Sequence, residues 1–209
     1  MRILIADDHA IARRGLKEIL LEGFPSAEVE TVNNAEELIA RIIKESWDVV
    51  ISDINMPGRS GLDALHQINK EFPKLPVLVL SFHPEEDYAV RVIRAGAAGY
   101  LNKDAAIESE LINAVNQVVR GRKYITPSIA ERLVQELSQD KQKQLHEILS
   151  DREFDVFKLL AQGKTTGEIA EKLSLSVNTI GTFRSRILAK MSMRTNADMT
   201  AYAIHHHLI

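Results

Sequence analysis

Three carboxylates stand where a fold would bring them together. Asp7 and Asp8 follow the apolar run ILIA at 3–6, and Asp53 follows VVIS at 49–52. Both runs are short and apolar and end in polar residues, the pattern of buried strands, so the acids project from strand carboxyl ends. A single acid in that position reads as a helix cap or a turn former. Three converging acids raise one another's pKa unless a cation neutralises them. A hard divalent ion with oxygen ligands resolves the conflict, and Mg²⁺ suits such a donor set. Ser81 after VLVL and Lys103 after GYL fall on the same edge. Taken singly, they read as a cap and a salt bridge. As a set with the acids they describe phosphoryl chemistry. An aspartate attacks phosphorus in line, the metal and the lysine neutralise the equatorial oxygens, and a hydroxyl bonds the product.

Positioning those groups is the task of a repeating pattern in the first 120 residues. Strands are expected at 3–6, 29–32, 49–52, 77–80 and 99–101. Between and after them, 10–21, 35–45, 61–71, 86–95 and 106–120 carry apolar residues at helical spacing. Such alternation demands a parallel sheet covered on both faces, so the fold class is α/β, a five-stranded doubly wound sheet. Its site belongs at the carboxyl ends of the strands, near the point where strand order reverses. Beyond it, 122–147 reads as a linker with one helix over 127–137. The remainder reads as an all-α unit of four short helices, with Ser150 and Ser176 as N-caps and Gly163 as a stop. The expected division is 1–121, a linker at 122–147, and 148–209.

Composition sets the class. The chain has 209 residues, 45% hydrophobic and 26% charged, with no cysteine. That is enough apolar material for ordinary cores, and no disulfide or thiolate metal site is available. No apolar run approaches the ~18 residues of a membrane span, so a cytoplasmic chain is the expectation. Residues 1–150 hold 18 basic and 23 acidic side chains, whereas 151–209 hold 8 and 6. From Lys172 to Arg194 there are five basic residues and no acid. A polyanion would feel that field, although a solvated helix face has the same composition.

On a helical wheel of SVNTIGTFRSRILAKM, Val177, Ile180, Ile187, Leu188 and Met191 group on one side. Asn178, Thr179, Thr182, Ser185, Arg186, Ala189 and Lys190 face the other way. TTGEIAEKL precedes this helix across a short turn, which is the helix-turn-helix order. The groove-facing candidates are Thr182, Ser185 and Arg186, with Thr179, Arg184, Lys190 and Lys172 as phosphate contacts; Arg184 lies on the inner side of the wheel. His205, His206 and His207 suggest a metal at first sight, but a helix C-terminus that favours positive charge accounts for them better.

Residues 1–120 resemble a response-regulator receiver domain, through Asp7, Asp8, Asp53 in DINMPGRSGLDAL, Ser81 and Lys103. The resemblance implies that Asp53 accepts a phosphoryl group and that Asp7, Asp8 and the Asn55 backbone carbonyl hold Mg²⁺ with it. It further implies that Ser81 and Lys103 contact the phosphoryl group, that Tyr100 is an aromatic switch, and that Pro57, Gly58 and Gly61 form the loop after the acceptor. The segment from Leu149 onward resembles the LuxR-type helix-turn-helix domain, and the pair resembles the NarL/FixJ response regulators. Two departures stand out: Gly181 where members commonly carry lysine, and Phe183 where they carry histidine or tyrosine. Gly181 removes a phosphate or base contact and costs the helix about 1 kcal/mol relative to alanine, so base preference cannot be carried over from the family.

The implied function is a phosphorylation-controlled transcriptional regulator of a two-component system. A sensor histidine kinase would donate to Asp53, and double-stranded DNA would be bound, with a homodimer meeting two half-sites. The only catalysis implied is gain and loss of its own phosphoryl group. Two rivals have other consequences. A phosphohydrolase would turn over many equivalents of a phosphate ester. A receiver-based interaction module with weak or no DNA binding would lack the steep salt dependence of phosphate contacts.

Overall fold

Short runs rich in valine, isoleucine and leucine, flanked by turns, leave the chain few options but strands buried on both faces. The computed structural model describes residues 1–56, 61–103, 108–138, 145–206 and 208–209. They divide into two units, Met1–Asp140 and Lys141–Ile209. In the first, β1 (Arg2–Ala6), β2 (Glu28–Val32), β3 (Val49–Asp53), β4 (Val77–Ser81) and β5 (Gly99–Asn102) form one sheet in the order β2-β1-β3-β4-β5. Every neighbouring pair is parallel. Each expected strand is present, longer by one residue at one end. The helices are α1 (Ala10–Gly23), α2 (Ala35–Lys44), α3 (Gly61–Glu71), α4 (Glu85–Arg94) and α5 (Glu108–Val119). Residues 106–107 of the expected last helix lie outside the described residues.

Alternation along the strands divides the core. Ile3, Ile5, Val49, Ile51, Leu78 and Leu80 cluster with Leu20 of α1 and with Leu111, Ala114, Val115 and Val118 of α5. Leu4, Val50 and Val79, equally buried, point to the opposite face, where α2 and α3 pack on each other. The chain leaves β1 toward β2 and then crosses back to β3. The reversal of strand order therefore falls between β1 and β3, and the crevice at their carboxyl ends is where a site belongs.

After α5 the chain turns at Gly121, whose φ is +75°, and runs back along the edge of the sheet. The Tyr124 N–H donates to the Ala98 carbonyl at 2.8 Å and Tyr124 pairs with Gly99. A Cβ on Gly99 would lie 2.8 Å from that of Tyr124, so only glycine admits this cover on the β5 edge. Then α6 (Pro127–Ser138) begins with proline in its first turn, and the Thr126 hydroxyl accepts from the Ile129 N–H at 3.3 Å. Ile129 is buried, α6 packs on α4, and the Glu85 carboxylate accepts from the hydroxyls of Thr126 and Ser128. The helix expected inside the linker thus lies against α4; residues 139–144 of that stretch are outside the described residues.

The second unit opens with a 3₁₀ turn (Leu145–Ile148), followed by α7 (Asp151–Ala161), α8 (Thr166–Lys172), α9 (Val177–Lys190) and α10 (Asn196–His205). Among the described residues it contains no strand. Reciprocal capping boxes start α7 (Ser150 with Glu153), α8 (Thr165 with Glu168) and α10 (Thr195 with Asp198), and Ser176 caps α9. The stop at Gly163 is present in the left-handed region, with φ +82°. Phe154, Phe157, Leu160, Ile169, Ile180, Ile187 and Met199 fill the core.

One expectation is corrected: Val177, assigned to the buried side of the wheel, is 52% exposed. It is the first residue of α9, at the helix end rather than along the face that packs on the core. Ile180, Ile187 and Met191 are buried as expected, and Leu188 is half-buried.

Candidate functional site

The crevice between β1 and β3 collects the acids and the lysine. Asp7 and Asp53 are buried, and Lys103 from the end of β5 reaches between them. Its Nζ lies 2.5 Å from Asp7 Oδ2 and 2.6 Å from Asp53 Oδ2. The other oxygens accept backbone N–H groups: Asp7 Oδ1 from His9 at 2.8 Å and Asp53 Oδ1 from Asn55 at 3.1 Å. Asp8 stays partly exposed at the mouth. Burial pushes the Asp53 carboxyl above the ordinary carboxylate range; the Lys103 ammonium and the Asn55 N–H pull it back without cancelling that, and Asp7 adds to the rise.

Ser81, fully buried at the end of β4, accepts the His83 N–H on its hydroxyl at 3.2 Å, and its carbonyl accepts the Lys103 N–H at 2.8 Å. Tyr100 is also buried. Its hydroxyl donates to the His83 carbonyl at 2.6 Å, which also accepts from the Asn102 amide at 2.8 Å. The β4–α4 loop is therefore tied to β5 at one carbonyl. The His83 ring stacks on Tyr88 at 4.0 Å and meets the Asn55 side chain at 2.6 Å. Gly61, where α3 starts, donates its N–H to the Ile54 carbonyl at 3.1 Å, and a Cβ there would lie 2.6 Å from that oxygen. Pro57 and Gly58, expected in the same loop, lie outside the described residues.

The structure thus brings Asp7, Asp8, Asp53, Lys103, Ser81, Tyr100 and Asn55 to one edge of one sheet. It adds three residues that sequence reasoning missed. The His9 ring touches Asp8; Phe82 lies under the Lys103 ammonium, with Nζ 4.9 Å from the ring centroid; His83 anchors the loop. The signal for all three was position alone: His9 follows Asp8 directly, and Phe82 and His83 are the two residues after Ser81.

One ligand atom each from Asp7, Asp8, His9 and Asp53 lie within 4.8 Å of one another, close enough to share one ion. Three carboxylates make a hard-oxygen donor set, and Asn55 Oδ1 is buried without a hydrogen-bond donor among the described residues. These groups fit a hard divalent cation.

In the second unit, α8, a four-residue turn and α9 form the helix-turn-helix. Thr182, Ser185 and Arg186 are exposed on one side of α9, with Thr179 partly exposed beside them, and Lys172 is exposed at the end of α8. The hydroxyls of Thr182 and Ser185 donate to the carbonyls of Asn178 and Gly181, each at 3.1 Å, and the Thr179 and Ser176 hydroxyls are hydrogen-bonded to each other at 2.7 Å. The other two expected phosphate contacts are engaged elsewhere. Arg184 Nε donates to Asn196 Oδ1 at 2.7 Å, and Lys190 Nζ pairs with buried Glu153 at 2.6 Å. Gly181 has open space around it, and Phe183 is half-buried. His207 lies outside the described residues; His205 and His206 end α10.

Comparison with known proteins agrees with both halves. Residues 3–116 match the response regulator receiver domain and residues 147–203 match the bacterial regulatory proteins of the luxR family. The chain is 36% identical to oxygen regulatory protein NreC of Staphylococcus carnosus (strain TM300), covering 100% of this chain and 99% of that one. It is 31% identical to response regulator UvrY of Escherichia coli (strain K12), covering 100% and 95%. Among solved structures, RcsB from Salmonella enterica serovar Typhimurium, bound to a promoter in the presence of the phosphomimetic BeF3⁻, aligns with TM-score 0.59 and 26% identity over 97% of each chain. With a receiver sheet, an acidic crevice at its strand reversal and a LuxR-type helix-turn-helix, the chain belongs to the NarL/FixJ family of DNA-binding response regulators.

Proposed function

We propose that Asp53 is the phospho-acceptor of this regulator and that a sensor histidine kinase is the donor. The observation that carries the reading is the meeting of Asp7, Asp8, Asp53 and Lys103 at the carboxyl ends of β1, β3 and β5. In the transfer, an Asp53 carboxylate oxygen forms a bond to phosphorus as the P–N bond of the donor phosphohistidine breaks, and the departing imidazole takes up a proton. Lys103 is within reach of the oxygens of a phosphoryl group on Asp53, and Ser81 presents a hydroxyl at the neighbouring strand end. Asp7, Asp8, Asp53 and the Asn55 backbone carbonyl would hold Mg²⁺, which when bound supplies charge neutralisation at the transferring group. Attack of water on phosphorus then breaks the P–O bond to Asp53 and releases inorganic phosphate, so the only chemistry proposed is the gain and loss of the chain's own phosphoryl group.

The output is proposed to be double-stranded DNA, read by Thr182, Ser185 and Arg186 with Thr179 and Lys172 on phosphates. Arg184 and Lys190 reach DNA only by exchanging their protein partners. A homodimer on two half-sites is supported by the RcsB relatives, one of them described as two dimers on two parallel DNAs. The domain limits proposed are 1–121 and 148–209, joined by 122–147. No helix among the described residues is long and apolar enough to cross a membrane, and a regulator that meets DNA works in the cytoplasm.

Incubation with acetyl phosphate and Mg²⁺ tests the acceptor: the wild type gains one phosphoryl group and Asp53→Asn gains none. Labelling of Asp53→Asn would overturn the assignment. Selection from random DNA with and without phosphorylation tests the output.

A further inference from the structure

His9 has no part in the phosphoryl chemistry above, yet its ring sits on the ligand oxygens. Nδ1 lies 2.9 Å from Asp8 Oδ1 and 3.3 Å from Asp7 Oδ1. The two nitrogen-bearing side chains divide the cluster between them. Lys103 takes the Oδ2 atoms of Asp7 and Asp53 from within, whereas His9 covers the Oδ1 atoms of Asp7 and Asp8 from the solvent side. The His9 side chain is 57% exposed, so the ring has room to swing outward. Its backbone N–H holds Asp7 in place whatever the ring does. Phe82 flanks the ring edge-on, with centroids 6.1 Å apart.

A divalent ion drawing on Asp7 and Asp8 therefore meets this imidazole, and the outcome depends on the ion. Mg²⁺ prefers carboxylate and water oxygens, so for it the ring is an obstacle that has to leave. Borderline ions such as Co²⁺ and Zn²⁺ accept imidazole readily. For them the exposed ring supplies a nitrogen ligand beside the Asp7 and Asp8 oxygens.

We propose that His9 sets the metal selectivity of the acidic crevice, adding an imidazole ligand for borderline divalent ions and opposing Mg²⁺ by occupying the Asp7 and Asp8 oxygens. The proposal rests on reading the crevice as a cation site. Its test is direct binding, by calorimetry and by the visible spectrum of Co²⁺, on the full chain with histidines 205–207 replaced by alanine so that the terminal triplet contributes nothing. His9→Ala should weaken Co²⁺ about tenfold or more, by analogy with the loss of groups that support a metal ligand, while Mg²⁺ binds equally or more tightly. His9→Asn, which keeps a polar side chain, should behave the same way, and matching unfolding midpoints would show that both variants fold. An unchanged ratio of Co²⁺ to Mg²⁺ affinity in both variants overturns the role of His9. If neither ion binds the chain with His9 intact, the cation-site reading fails, and this inference fails with it.

Discussion

Replacing Lys103 with methionine, similar in length but uncharged, is expected to destabilise the first unit by about 3 kcal/mol at neutral pH. The ammonium is 6% exposed and its partners Asp7 and Asp53 are 0% and 2% exposed at the side chain, so the substitution leaves two buried carboxylates without their cation. Breaking a buried pair this way typically costs ~3–5 kcal/mol, because the orphaned charge cannot be rehydrated. For a unit of this size that is a drop in Tm of about 10 °C. Trp47, the chain's one tryptophan, is buried in this unit, so its fluorescence reports the transition. The sign with pH follows from the carboxylates. Without Lys103 the Asp53 carboxyl, already raised by burial, loses the cation that pulls it down and stands further above the unfolded value of about 3.9, so the penalty is absent below that value and grows as pH rises through the folded one. The variant and the wild type should converge near pH 4 and separate at pH 7. Adding Asp53→Asn to Lys103→Met should recover part of the loss, since one of the two charges is then gone. A midpoint unchanged at pH 7, a deficit equal at both pH values, or a double variant weaker than the single one would refute the reasoning.

Other consequences are local. Ser192 stands at φ +54°, just after α9, where its N–H bonds the Ala189 carbonyl; Ser192→Gly should stabilise the helical unit by about 0.5–1 kcal/mol in calorimetric unfolding, the relief of left-handed strain less the glycine's unfolded entropy. Burial alone would raise the Glu153 pKa, but its hydrogen bond with Lys190 and the Ser150 N–H hold it below the ordinary value. The stability this contributes is present above the unfolded pKa and is lost as pH falls through the lower folded one; Lys190→Ala should therefore weaken the helical unit at pH 7, and the gap should narrow under acid unfolding. Arg186→Ala should weaken DNA binding while phosphorylation is intact and, if its contact is a phosphate, lower the slope of log affinity against log salt by about 1; unchanged affinity removes Arg186 from the interface.

The doubly wound sheet was legible because its strands are short apolar runs alternating with stretches of helical spacing, and the receiver resemblance because the acids and Lys103 stand at strand ends; the strand order was not given by the pattern. A residue at the end of a strand has its place decided by the sheet, so Asp7 and Asp53 could be put together from positions 46 apart in the chain. Tyr100 was harder to read. Sequence gives an aromatic in a strand, whereas the hydrogen bond from its hydroxyl to the His83 carbonyl depends on the path of the β4–α4 loop. His9, Phe82 and His83 escaped for the same reason, since loop residues are aimed by backbone turns that periodicity does not encode.

The helical unit divides in the same way. Of its caps, sequence reasoning found Ser150 and Ser176 but missed Thr165 and Thr195, although each of these two is followed three residues later by the glutamate or aspartate of a capping box. The exits of α8 and α9 were missed too, because Ser174 and Ser192 take the left-handed conformation that a reader assigns to glycine. Their N–H groups bond the Glu171 and Ala189 carbonyls, and the residues that follow, Leu175 and Met193, bond the Ala170 and Leu188 carbonyls. Paired bonds of this kind close a helix whatever residue occupies the turn, and the hydrogen bonds they supply offset the strain on the serine. Lys190 shows the limit of the wheel. Its direction on α9 is outward, yet four methylenes let the ammonium reach the Glu153 carboxylate at 2.6 Å, and that carboxylate also accepts the Ser150 N–H that starts α7. The charge that looked available to DNA thus secures the first turn of α7 to α9, and it becomes available to a phosphate only where that phosphate competes with a buried carboxylate.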